Sequence, residues 1–99
     1  MIIVYGTIET SADSISALTD AITALEQATR AEEGCIDYTF SVALSDPECV
    51  RISEKWESMD ALKAHMAMPH MAEFQQAMGA HPPRAVDIKF YQAEEISLS

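Results

Sequence analysis

Two ionisable side chains stand where ionisable groups are costly. From Val50 to Glu57 the chain alternates, and Glu54 falls with Val50, Ile52 and Trp56 rather than with Arg51, Ser53, Lys55 and Glu57. A carboxylate on an apolar face must be paired, hydrogen-bonded or kept neutral. It is either an acid or base lining a pocket between sheet and helices, or a group satisfied by a hydroxyl, a histidine or a backbone amide. His65 lies one helical turn beyond Ala61 and Leu62, beside their apolar stripe rather than opposite it. An imidazole there can take a proton from a phenol or enol near neutral pH. The alternative is a helix histidine bonded to Glu54 or to a nearby carbonyl. Glu54 and His65 are the candidate catalytic pair.

His70 directly follows Pro69 and either holds a break between helical segments or touches a substrate. It is five positions from His65 across that proline, not the i, i+4 pair that chelates zinc from one helix. With His81 in a loop, the histidines read as scattered, and no metal site is predicted. Tyr38, Phe40, Trp56 and Met66 offer an aromatic and thioether wall, which is core by default and a pocket for a planar ring in the functional reading. Arg84 either steers an anionic substrate or makes a surface ion pair. No phosphate-binding glycine loop, dinucleotide fingerprint or nucleophile elbow is present. Any redox chemistry must therefore draw its electrons from the substrate.

The elements that position these groups follow from periodicity. Residues 2–9 (IIVYGTIE) read as a strand. TSADS offers N-caps for an amphipathic helix with Ile15, Leu18, Ile22 and Leu25 on its buried stripe, Asp20, Thr29 and Arg30 off it, and Gly34 as its stop. Ile36, Tyr38, Phe40, Val42 and Leu44 share one face of a second strand. SDPE reads as a turn, and the third strand returns through Val50 to Trp56. Keeping both apolar sets on one side sets Leu44 against Val50, Phe40 against Glu54 and Tyr38 against Trp56. Ser58 caps the next helix, Pro69 restarts it, and Gly79 ends it. Val86, Ile88 and Phe90 alternate in a last strand, and an acidic tail covers 94–99. The order β-α-β-β-α-β, with the second helix broken, predicts an α+β ferredoxin-like plait as one domain over residues 1–99. Ile3, Tyr5, Thr7, Thr39, Ser41, Ser53 and Tyr91 fall on its helix-free face, which is expected to be a subunit contact.

Composition bounds the partners. Six Lys and Arg against 16 Asp and Glu give a formal charge of −10, which argues against nucleic acid and anionic membranes. The start, MIIVYGTIET, shows no basic region or small-residue cleavage site, so cytoplasm is the expected compartment. Cys35 and Cys49 fall on either side of the hairpin, roughly 30 Å apart along a ladder, beyond the ~7 Å limit for a disulfide. They are expected to be free thiols.

Glu33-Gly34-Cys35, Tyr38, Glu54-Lys55-Trp56-Glu57-Ser58, Leu62-Lys63-Ala64-His65 and Pro69-His70-Met71 with Phe74 together resemble the antibiotic biosynthesis monooxygenase family of dimeric α+β barrels. The resemblance covers about the whole chain and is strongest from Glu33 to Met78. It implies a homodimer and cofactor-independent oxygenation of a phenol, quinol or polyketide-like enol. His65 would be the base assisted by Glu54, with Tyr38, Phe40, Trp56, Met66 and His70 around the substrate. Haem is disfavoured: the haem-degrading branch uses an Asn on the first strand and a His late in the second helical region, whereas residues 2–9 contain no Asn and 71–80 no His. Some polyketide oxygenases carry an Asn four positions before the strand Trp, where this chain has Ile52. Acid/base isomerisation, or ligand binding without catalysis, is the alternative.

Overall fold

The computed structural model describes Met1–Ser99. Strand β1 (Ile2–Glu9) leads into helix α1 (Ala12–Arg30), then the hairpin β2 (Cys35–Ala43) and β3 (Asp46–Trp56). Helices α2 (Met59–Met66) and α3 (Pro69–Ala80) precede β4 (Ala85–Gln92). The strands pair antiparallel in the order β2-β3-β1-β4, so the ferredoxin-like plait stands. No helix is long and apolar enough to cross a membrane.

Local chemistry sets the boundaries. Ser11 caps α1, its hydroxyl accepting from the Ser14 N–H at 3.1 Å. Ser58 caps α2 through the Ala61 N–H. The break before α3 falls at Pro69, whose fixed φ suits a first helical residue. Gly34 does not stop α1, which ends at Arg30. Its φ of +84° instead turns the chain into β2, a conformation glycine adopts without steric cost. A Cβ at Gly34 would meet that of Ala61 at 2.6 Å, so this turn packs directly on α2.

The β2–β3 register differs from expectation by two residues. Tyr38 faces Glu54, Phe40 faces Ile52 and Val42 faces Val50. The hairpin turns at Leu44–Ser45, ahead of the Asp-Pro pair, and Asp46 takes the Glu48 N–H on its carboxylate at 3.0 Å. A shift of two preserves which face each side chain occupies, so Tyr38, Ile52, Glu54 and Trp56 remain inward. Irregularities at both ends of β2 disrupt its alternation, and Ile36, Val42 and Leu44 are exposed.

The main core joins Ile2, Val4, Leu25, Tyr38, Trp56 and Leu62. A second group, Ile8, Val50 and Ile52, packs with Ile15, Phe40 and Met78. Thr29 corrects the predicted stripe: it lies one turn beyond Leu25 and is 0% exposed, with its hydroxyl unpartnered. Edge strand β2 is tied to α1 by the Phe40 N–H donating to Glu26 at 2.8 Å and Arg30 Nε donating to the Tyr38 carbonyl at 3.0 Å. The helices lie chiefly over β2 and β3. The apolar residues Val86, Ile88 and Phe90 of β4 consequently stay exposed although they share the helix-side face of β1. Both cysteines are free, Cys49 buried and Cys35 partly so.

Candidate functional site

A cavity of about 290 Å³ lies between the sheet and the two short helices. Tyr38, Phe40, Ile52 and Glu54 form part of its floor, while His65, Met66, Met71 and Phe74 contribute from the helices. The inner face of β4, through Val86, Ile88 and Phe90, supplies another wall. The lining is predominantly apolar with a few polar groups, the composition of a small-molecule site.

Each polar group is held by a specific partner. Glu54 sits near the end of β3, where alternation turns it inward, and its Oε1 accepts from the indole Nε1 of Trp56 at 2.9 Å. Burial raises its pKa above the usual carboxylate range; the Trp56 hydrogen bond and nearby His65 oppose that rise, while Glu32 adds to it. The Tyr38 phenol is also pushed up, first by burial and then by the charges of Glu54 and Glu32. Its hydroxyl is therefore neutral near pH 7 and not a phenolate.

His65 is 1% exposed, with its ring 4.8 Å from Trp56 and 5.2 Å from Tyr38, centroid to centroid. Its partner is Glu32, not Glu54: His65 Nδ1 lies 2.8 Å from Glu32 Oε2. His70 Nε2 reaches the same oxygen at 2.6 Å. A carboxylate acceptor places the proton of a neutral His65 on Nδ1 and leaves the lone pair on Nε2, and the residue lines the cavity. The Glu32 carboxylate thus fixes the orientation of the imidazole ring.

The sequence reading of scattered histidines is thus corrected, because the turn after α1 brings Glu32 to both α2 and the start of α3. His70 meets Glu32 and does not line the cavity. Trp56 is fully buried behind it and positions Glu54 instead of forming its wall. Tyr38, Phe40, Glu54, His65 and Met66 do line it. Glu32 escaped sequence reasoning because no periodicity links it to positions 65 and 70. Its only signal is an acidic pair, Glu32-Glu33, ahead of the glycine turn. Arg84 pairs with Glu48 at 3.6 Å on the surface.

Comparison with known proteins agrees with this architecture. Residues 1–77 match the family model described as antibiotic biosynthesis monooxygenase. The chain belongs to the antibiotic biosynthesis monooxygenase family. A Deinococcus radiodurans protein structure bearing that family name is 32% identical, with a TM-score of 0.89 over 98% of this chain and 96% of that one. Rv0793 of Mycobacterium tuberculosis is 26% identical, with a TM-score of 0.83 over 99% and 98% of the two chains. A Caulobacter crescentus structure with the same family name superposes at a TM-score of 0.88 over 95% and 90%, and at 24% identity it bears on the fold alone. No curated protein matches this chain.

Proposed function

We propose that this protein is a cofactor-independent monooxygenase of an electron-rich phenol, quinol or polyketide-like enol. The observation that carries the reading is the Glu32–His65 bond, which orients the ring of a histidine that lines an apolar cavity together with Glu54. His65 removes the acidic proton of the substrate, and the resulting anion passes one electron to dioxygen. The substrate radical and superoxide combine to a peroxide at a ring carbon that still bears hydrogen, and the protonated His65 returns its proton to the peroxide. Loss of water across the C–O–O–H unit forms the quinone carbonyl. One oxygen atom ends in product and the other in water, with all electrons supplied by substrate. Glu54 assists the second proton removal, and Tyr38, Phe40 and Met66 pack around the ring. An apolar enclosure strengthens each of these charge interactions.

A second copy of the chain against the helix-free sheet face completes the proposed assembly. Tyr5 and Tyr91 are half-exposed there, and Ile3 pairs with Tyr91 across β1 and β4. The cavity argues against a role without a ligand.

The test is oxygen uptake with a panel of quinols and polyphenols and no added cofactor. His65→Gln is expected to lower turnover about 10²–10⁴-fold, the usual contribution of a general base. Unchanged uptake in that variant removes the base. Product formation at the same rate without dioxygen replaces the oxygenase with an isomerase.

A further inference from the structure

We propose that Glu32, His65 Nδ1 and His70 Nε2 form a binding site for one divalent first-row transition metal ion. The three ligand atoms lie within 4.8 Å of one another and come from the turn after α1, from α2 and from α3. Tetrahedral bonds of ~2.1 Å place neighbouring ligand atoms roughly 3.4 Å apart. The contacts of 2.8 and 2.6 Å to Glu32 Oε2 therefore need to open by less than about 1 Å to admit the ion. Two imidazoles and one carboxylate suit zinc, cobalt or nickel and are a poor match for calcium or magnesium, which prefer oxygen cages.

Burial and access are graded as such a site requires. The side chains of His65 and Glu32 are 1% and 6% exposed, while that of His70 is 21% exposed. The exposed edge at His70 gives the ion an entry and leaves a coordination position for water. A net charge of −10 favours a divalent cation throughout the approach.

Occupancy has a chemical consequence for the base, and this part rests on the function proposed above. A metal on Nδ1 of a neutral His65 moves its ring proton to Nε2. Nε2 then becomes a hydrogen-bond donor and can no longer accept a proton. The ion would act as an off-switch for the catalytic histidine.

The test is direct binding, independent of turnover. Chelator-stripped protein in 0.15 M salt is titrated with zinc by calorimetry, beside Glu32→Gln and His70→Ala. The expected result is one zinc per chain, bound at least tenfold more weakly by each folded variant. His70→Ala removes a partly exposed side chain and serves where Glu32→Gln fails to fold. Equal zinc affinity in wild type and variants assigns binding to surface carboxylates and overturns the site, as does no binding at millimolar zinc. Nitrogen-15 NMR of the histidine rings supplies the second readout: zinc should transfer the His65 proton from Nδ1 to Nε2, and a proton retained on Nδ1 excludes that ligand. Failure of the oxygenase assay leaves each of these results intact.

Discussion

Thr29→Val is expected to stabilise the protein. The Thr29 side chain is fully buried at the end of α1, and its hydroxyl has no hydrogen-bond partner. An unsatisfied buried hydroxyl costs about 1–3 kcal/mol, and the methyl that replaces it adds up to about 0.8 kcal/mol of burial. Valine and threonine have similar helix propensities and nearly the same shape, so the backbone has no reason to move. The Thr29 carbonyl, which accepts from the Glu32 N–H at 3.0 Å, is untouched. The net gain is about 2 kcal/mol, on the order of 10 °C in melting temperature for a domain this size. Urea unfolding followed by Trp56 fluorescence should show a higher midpoint with an unchanged slope. A less stable variant refutes the reasoning, since it means the hydroxyl makes a bond whose loss outweighs the added methyl.

Further predictions concern the groups whose protonation the fold perturbs. Burial raises the Glu54 pKa despite the Trp56 hydrogen bond, with His65 opposing and Glu32 reinforcing the rise. The fold therefore favours its protonated form, and wild-type stability should fall as pH climbs from the ordinary carboxylate range through the raised value. Glu54→Gln lacks that loss and should gain on the wild type across the window, as melting curves at a series of pH values in chelator would report; a pH-independent difference contradicts it. Cys35 is pushed up to about 11, first by burial and then by Glu32, Glu54 and Asp37 against the weaker pull of Arg30. Its thiolate fraction at pH 8 is about one in a thousand, so alkylation read by peptide mass should rise about tenfold per pH unit from 8 to 10. A plateau near pH 9 counts against this.

The fold was legible wherever one face of an element is buried. Val50, Ile52, Glu54 and Trp56 are all buried, as alternation requires, and the N-caps at Ser11 and Ser58 are recognisable from residue type and position. The hairpin register was not legible, because Asp46-Pro47 resembles a turn while Leu44-Ser45 makes it. Period two protected the face assignment from that error. For β4, alternation identifies Val86, Ile88 and Phe90 as one face but says nothing of whether a helix covers it. The candidate site was half visible. Glu54 and His65 betray themselves by standing on or beside apolar surfaces, whereas the meeting of Glu32 with His65 and His70 depends on a turn closing over 33 and 38 positions. Local patterns carry no information at that range.

One carboxylate oxygen fastens the chain after α1 to both short helices, so the site and the bracket holding those helices are the same object. Changes at Glu32, His65 or His70 are therefore felt by architecture and chemistry together, which narrows what mutation can explore there. Met66 and Phe90 stand at the exposed margin of the cavity, outside the tightly buried cluster. Substitutions at that margin can reshape the cavity mouth while the buried Glu32–His65–His70 bracket stays fixed.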